Sequence, residues 1–277
     1  MNSSDLPNSE VYRYPHYYAI GYQWNTKAEC DFIESCAVAY MDNMDPAPAK
    51  GERVSPLSML DIGCGSGRHM LELSSRKHKL TGFDLRPEMV EFVREKSAQQ
   101  KLAVNVSVGD LHYVPVSGKF DIGICLMDTF RFLLTNEDIT RHLKLVAEHL
   151  NPGGLYITDF WIPSKWDQIS NEIYQWEQTE GDTTVKVFYL QHPDSVDPVS
   201  QTFEDELVFV VGEGEQSKEI RGGRTRTRLI MPQEYRALVE ASRAFDFVDA
   251  FSEFSLQASL DSSPMSWRMI SVLKKKA

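Results

Sequence analysis

The 277-residue sequence has only four cysteines, Cys30, Cys36, Cys64 and Cys125, with no CxxC pair and no metal-ligand spacing. That scarcity argues against a disulfide framework or a structural zinc site, and predicts a reduced, cytoplasmic protein without a bound metal. No apolar run approaches the length of about 18 residues that a membrane helix needs. Met1 to Glu10 is polar and lacks an apolar core segment, which speaks against a signal peptide. Basic residues are also in deficit: Lys and Arg total 29 against 40 Asp and Glu, a formal net charge of -11. Such a balance opposes a nucleic-acid partner and an anionic membrane surface, both of which want a basic footprint. Internal repeats and low-complexity tracts are missing. What remains is an ordinary globular mix, 42% hydrophobic and 25% charged, long enough for a full core in one or two domains.

Aromatics crowd residues 11–24, with Tyr12, Tyr14, Tyr17, Tyr18, Tyr22 and Trp24. A solvated tail rarely keeps that much apolar area exposed, so the segment either packs on the domain surface or covers a ligand. Lys27–Tyr40 has helical period, with Phe32, Ile33, Cys36 and Tyr40 on one face, and residues 42–56 read as a Pro/Gly-rich linker. Strands and helices then alternate. Strands are predicted at Ser58–Ile62, Lys79–Phe83, Ala103–Val108, Phe120–Leu126 and Leu155–Phe160. Helices are predicted at Gly67–Lys77, Pro87–Gln100 (stripe Met89, Phe92, Val93) and Thr135–Leu150, the last opened by a Thr135–Asp138 capping box and closed by Asn151-Pro152-Gly153-Gly154. This alternation means a mostly parallel α/β sheet with helices on both faces. The pattern breaks over residues 183–230, where Thr183–Leu190, Phe203–Val211 and Arg221–Ile230 read as strands of an antiparallel insert. A helix from Pro232, burying Tyr235, Leu238 and Val239, and strands near Phe245–Phe251 and Trp267–Leu273 close the chain.

Chemistry concentrates in Leu60-Asp61-Ile62-Gly63-Cys64-Gly65-Ser66-Gly67-Arg68-His69, a strand running through alternate glycines into a helix. Glycine lets the backbone approach a ligand, and the helix start offers unpaired N–H groups. Asp84 ends the next strand, where an acid can accept from both hydroxyls of a ribose. The layout suits an adenosine cofactor. It departs from the dinucleotide fingerprint, because Arg68 stands where the last glycine belongs, and it is no Walker loop, because no Gly-Lys-Ser/Thr follows. A smaller cofactor carrying a carboxylate fits better than a pyrophosphate.

These residues resemble the class I, seven-stranded S-adenosylmethionine-dependent methyltransferases. Asp61–Gly67 is similar to their first motif, Phe83-Asp84 to the acidic second, Gly109-Asp110-Leu111 to the loop beside the adenine, Phe120-Asp121 with Ile124-Cys125-Leu126 to the fourth strand, and Asn151–Leu155 to the turn into the fifth. The resemblance is tight over residues 56–160 and looser to the end. It implies a Rossmann-like fold and S-adenosylmethionine as cofactor, with S-adenosylhomocysteine as product. It further implies that Gly63, Cys64 and Gly65 lie against the methionine part and Asp61 holds the amino group, with Arg68 in the same binding set. Asp84 would take the ribose, Leu85, Asp110 and Leu111 the adenine, and Leu126 and Met127 the sulfonium surroundings. Asp61 and Asp84 also have plain readings as loop or helix caps, and Cys64 as a small buried filler.

The fourth strand ends in Leu126-Met127-Asp128-Thr129 rather than the Asn/Asp-Pro-Pro-Tyr common in exocyclic-nitrogen methyltransferases. A small-molecule acceptor methylated at nitrogen or oxygen is therefore expected. The inserted strands look like the lid of small-molecule N-methyltransferases such as the deoxyaminosugar dimethyltransferases, and Pro15–Tyr22 like their cofactor-covering segment, with Tyr18 first and Tyr22 second. The division expected is residues 1–24 as cover, 25–165 with 231–277 as core, and 166–230 as lid. Asp128 and Tyr18 stand closest to the reaction. Asp128, Asp159, His16 and His112 are candidate bases, each with a bland alternative as a cap or surface contact. Asp128, Asp159, Trp161 and Arg228 are candidate substrate contacts; Trp166 could join Trp161, and Arg224, Arg226 and Arg228 could meet an acidic acceptor or simply form a solvated, acid-paired face. Protein or nucleic-acid methylation, a non-catalytic cofactor binder and a nicotinamide oxidoreductase are the competing readings. Oligomeric state stays open, a homodimer included.

Overall fold

Buried β-branched and aliphatic runs make the central sheet, and the computed structural model describes residues 9–42, 54–163, 173–214, 216–261 and 266–276. The sheet strands are β1 (Ser58–Ile62), β2 (Lys79–Asp84), β3 (Val104–Val108), β4 (Phe120–Cys125), β5 (Leu150–Trp161), β11 (Phe245–Phe251) and β12 (Arg268–Lys275). Their order is β11-β12-β5-β4-β1-β2-β3, parallel from β3 through β5, with β12 antiparallel to both β5 and β11. Alternate residues of β1 serve opposite layers: Leu60 and Ile62 pack with α6 (Asn136–Glu148) and α7 (Pro232–Ser242), whereas Met59 packs with α3 (Thr26–Tyr40), α4 (Arg68–Ser75) and α5 (Pro87–Gln99). Thr135 caps α6 by accepting the Asp138 N–H at 3.0 Å, as its sequence signature requires. α5 and α7 each begin on a proline, whose missing N–H costs nothing there.

The insert is a second sheet, β6 (Ile173–Glu180), β7 (Thr183–Asp197), β8 (Thr202–Glu213), β9 (Gln216–Arg221) and β10 (Thr225–Arg228). It is antiparallel, in the order β10-β8-β7-β6, with β9 also on β8. Against its inner face lie α1 (Ser9–Tyr12) and α2 (Pro15–Gly21), so that Val11, Ile20 and Tyr22 share a core with Val185, Val187, Leu207 and Phe209. The approach at Gly21 is so close that a Cβ there would come within 2.8 Å of the Val187 Cγ2, and the Gly21 carbonyl accepts the Trp176 indole N–H at 2.8 Å.

Several boundaries differ from the sequence reading. The Arg221–Ile230 strand is two strands, because Gly222 and Gly223 (φ +81°) break it. β6 was not legible, since its alternation rests on Tyr174 and Trp176 alone among polar residues, none of them fully buried. β7 runs through Pro193 and Asp194, and the chain reverses instead around Gln201, at φ 54°. Asn151–Gly154 belongs to β5 rather than to a turn, with Leu150 paired to Phe120 and an irregular register following. Val90, not Phe92, completes the buried stripe of α5. Most of the 42–56 linker and Trp166 lie outside the described residues.

At the carboxyl end of β4 the chain makes two successive left-handed steps, Met127 (φ 56°) and Asp128 (φ 63°), which non-glycine residues adopt only at a cost. β5 holds the step in place. Asp159 accepts the Met127 N–H through Oδ2 (3.1 Å), and its carbonyl accepts the Asp128 N–H (3.2 Å). Arg268 of β12 grips the same buried carboxylate with Nε on Oδ1 (2.9 Å) and Nη2 on Oδ2. Arg268→Ala leaves Asp159 charged and unpaired in the interior, and is expected to cost about 3–5 kcal/mol by chemical denaturation. The double variant Asp159→Asn/Arg268→Met should recover part of that loss; a single variant within 1 kcal/mol of wild type, on the order of an exposed pair, would contradict this account.

Candidate active site

The site lies outside the carboxyl ends of β1, β2, β4 and β5, where open parallel sheets bind ligands. After β1 the loop turns back so that the Gly63 and Cys64 N–H groups donate to the Phe83 carbonyl (2.9 and 3.0 Å), and the Gly65 N–H donates to Asp84 Oδ2 (2.8 Å). Gly63 is left-handed (φ +70°), and a Cβ on it would sit 2.4 Å from Thr129 Cγ2, so the position admits no side chain.

Three connected hollows meet here. The smallest, about 40 Å3, is bounded by Asp61, Gly63, Cys64, Arg68 and Leu126. A second, about 210 Å3, is bounded by Asp84, Leu85, Arg86, Asp110, Leu111 and Phe132. The third, about 450 Å3, lies under the lid and is walled mainly by aromatic rings, among them Tyr22, Trp24, Trp161, Trp176 and Tyr189. Tyr18 and Met127 border all three. A cavity of the third hollow's size and apolar character suits a small organic ligand.

Asp61 is buried, and its Oδ2 has no hydrogen-bond partner. Burial, with Asp84 adding to it, pushes its carboxyl up to about 7 against the opposing pull of Arg68. An unsatisfied buried carboxylate facing a hollow awaits a cationic donor. Asp84 is tethered by the Gly65 N–H on one oxygen and the Arg86 N–H (2.9 Å) on the other; burial raises its carboxyl, and those two donors oppose the rise. Asp110 Oδ1 accepts from the His112 backbone (2.9 Å) and ring Nδ1 (2.6 Å), while Leu85 is 42% exposed and so available as a ring-stacking surface. Arg68 pairs with buried Glu29 (2.6 Å) and donates to the Trp24 carbonyl and the Thr26 hydroxyl, tying the glycine-loop helix to the aromatic segment. His69, beside it, is pulled down to about 4 by burial and by Arg68, and stays neutral. Tyr18 is stacked on Tyr22, with centroids 4.3 Å apart, and burial drives its phenol upward, so it too is neutral.

At the third hollow Asp128 Oδ1 accepts the Trp161 N–H (2.6 Å). Sequence reasoning passed over Arg131, which is fully buried beneath this cavity. Its Nε donates to the Arg228 carbonyl (2.9 Å), Nη1 to the Tyr189 hydroxyl (3.1 Å) and Asp128 Oδ1 (3.5 Å), and Nη2 to the Thr227 hydroxyl (2.8 Å). Tyr189 and Thr227 both donate onward to Asp205 Oδ2. The signal was present as a lone arginine in an apolar run, Phe130-Arg131-Phe132-Leu133-Leu134.

Other expected contacts are elsewhere. Arg228 borders none of the hollows; it is buried against Glu234, Asn136 and the Leu134 carbonyl, a tie between β10 and the helices. Asp159 is likewise committed to Met127 and Arg268 and borders none of them, so both leave the substrate set. Arg224 and Arg226 are exposed and paired with Asp194 and Glu204, the bland alternative. His16 is exposed and apart from the cavities, whereas His112 borders the second one.

A glycine loop, an unpartnered acid at its base and a second acid at the end of the next strand thus line adjoining hollows at one edge of the sheet. Residues 59–154 match the methyltransferase-domain family. A stretch of 110 residues is 30% identical to a dTDP-4-amino-2,3,4,6-tetradeoxy-D-glucose N,N-dimethyltransferase of Saccharopolyspora spinosa, covering 39% of this chain and 43% of that protein. The chain thus spans under half the length of that relative. Among solved structures, an S-adenosylmethionine-dependent methyltransferase from Clostridium acetobutylicum superposes with a TM-score of 0.74 at 20% identity, over 95% of this chain and 97% of the other. An S-adenosylmethionine-bound amino pentose methyltransferase from Micromonospora echinaspora gives 0.66 at 19%, over 95% and 96%. The core has the fold of the class I S-adenosylmethionine-dependent methyltransferases. No described helix is long and apolar enough to cross a membrane.

Asp61→Asn removes a buried charge that the unfolded chain carries in water. The acid is charged above about pH 4 when unfolded but only above about 7 when folded, so its stability penalty grows as pH rises through that window. The variant is therefore expected to gain stability over wild type between pH 4 and 7 and to hold about 1–3 kcal/mol above it. Its affinity for S-adenosylmethionine should drop about tenfold or more. Parallel denaturation series at several pH values, with calorimetry of cofactor binding, check both.

Proposed function

We propose that the protein transfers the methyl group of S-adenosylmethionine to an amino nitrogen of a small molecule. The observation that carries this reading is the meeting of the three hollows at Tyr18 and Met127, which sets a cleft for the cofactor against an aromatic-walled acceptor cavity. The residues fit the cofactor: Asp61 has a free acceptor for its ammonium group, and the glycine loop leaves room for close approach. Asp84 would hold the ribose, Leu85, Asp110 and Leu111 the adenine, and Gly63, Cys64, Gly65 and Arg68 the methionine portion. Leu126 and Met127 would flank the sulfur. When bound, the cofactor supplies a methyl already activated by positive sulfur.

The chain's own task is then to orient and to exclude water. Tyr18, Tyr22 and Trp24 cover the cleft, and a dry site favours a reaction in which charge on sulfur is lost. Asp128, fixed by the Trp161 N–H, is placed to take the proton from an ammonium acceptor, freeing the nitrogen lone pair to form the new N–C bond while the S–C pair stays on sulfur. The amino-sugar substrates named for the relatives support nitrogen as the acceptor atom. The net charge of -11 supports a small molecule over nucleic acid, and the four unpaired cysteines support a reducing, cytoplasmic setting.

Calorimetry should give saturable binding of S-adenosylmethionine and none of NAD. Asp84→Ala should weaken the former by about one to two orders of magnitude, since charged hydrogen bonds of roughly 1.5–3 kcal/mol are lost. Transfer of labelled methyl to a panel of small amines tests the reaction itself, and labelling of alcohols in preference to amines would sink the nitrogen assignment.

A further inference from the structure

The acceptor cavity is unusual in its charge. Among the described residues lining it, Arg131 is the one cation, set against two acids, Asp128 and Asp205. Arg131 is not available to a ligand anion. It is completely buried, and each of its three nitrogens already donates within the protein. Its charge is also shared with the faces of Trp161 and Phe203, 5.5 and 5.1 Å away. Among the described residues the lining therefore carries one more acid than cations, and none of them offers a free donor of positive sign. Its remaining surface is largely ring faces, which attract cations through their quadrupoles. A pyrophosphate brought here would meet Asp128 and Asp205 with no free cation among the described lining residues to neutralise it, whereas phosphate sites are built from free Arg, Lys or helix N-termini.

We propose that the acceptor is a phosphate-free organic amine, entering as its ammonium form, with the aromatic wall on its apolar body and the Asp128–Asp205 pair as its counter-charge. This rests on the methyltransferase reading above and narrows it, away from the nucleotide-linked sugar in the relative's name. Asp205 supplies field without flexibility. Its Oδ2 is fixed by Tyr189 and Thr227, and burial raises its carboxyl against the pull of Arg131. A cation nearby would relieve part of that cost. The Arg131 network thus reads as a scaffold that keeps two acids buried at one end of the cavity, and Asp205 as a specificity-determining residue.

Four of the five tryptophans, Trp24, Trp161, Trp176 and Trp267, line this cavity, so intrinsic fluorescence reports its occupancy directly and without turnover. The full-length protein is titrated with phenethylammonium, with its neutral counterpart 2-phenylethanol and with thymidine diphosphate. Phenethylammonium should bind about tenfold or more tightly than the alcohol, and thymidine diphosphate should neither change the fluorescence nor displace the amine. Asp205→Asn should lose about tenfold in amine affinity while S-adenosylmethionine affinity stays within about twofold, the latter serving also as the check of correct folding. Equal binding of amine and alcohol, displacement by thymidine diphosphate, or an unchanged amine affinity in Asp205→Asn would each overturn the proposal. If S-adenosylmethionine binds and thymidine diphosphate displaces the amine, only the acceptor class fails; if S-adenosylmethionine does not bind, the methyltransferase reading fails with it.

Discussion

The double left-handed step at Met127–Asp128 is the constraint on which the site depends. Two consecutive non-glycine residues at positive φ persist only where their surroundings outweigh the strain. Here the outweighing part is a chain of charge: Arg268 of β12 holds Asp159 of β5, and Asp159 holds the N–H groups of the step through its carboxylate and its carbonyl. Three strands thereby agree on the position of a single turn. One residue of that turn borders every hollow, and the next carries a carboxylate at the edge of the largest one. Without the clamp, β4 would have no reason to leave the sheet at that angle.

Electrostatics divide the site into two regimes. Carboxylates are buried at its base and at its far end, but the cations nearest to them are spoken for: Arg68 by Glu29, Arg268 by Asp159, Arg131 by its network. Native interiors seldom leave acids in that condition unless a ligand completes them. The stability forgone by burying Asp61 without a partner is a local conflict between folding and binding, and such conflicts concentrate at functional sites.

Much of the architecture was legible in the order of the residues. The strands of the parallel sheet declare themselves as buried apolar runs, and the glycines after β1 and the acid that ends β2 mark the cleft at the sheet's carboxyl edge. The lid was less legible for a physical reason: β6 alternates in exposure but is mostly polar and never fully buried, so its apolar pattern is short, and the Gly222-Gly223 break interrupts what otherwise reads as one strand. Arg131 and Asp205 escaped notice because their meaning is relational. One lies just after β4 and the other on β8, and only folding sets the lid sheet over the 3-10 turn Thr129–Phe132 and brings the two together. Arg228 misled in the opposite direction, since a strand period shared with Arg226 does not say that its guanidinium turns toward helix α7.

The N-terminal helices bury their apolar side chains in the lid rather than in the parallel sheet, with Val11, Ile20 and Tyr22 sharing a core with β7 and β8. Lid and aromatic segment are consequently one mechanical unit resting on the Rossmann-like base. Any excursion that uncovers the cavity under the lid also lifts Tyr18 away from the glycine loop, so opening of one hollow is coupled to loosening of its neighbours.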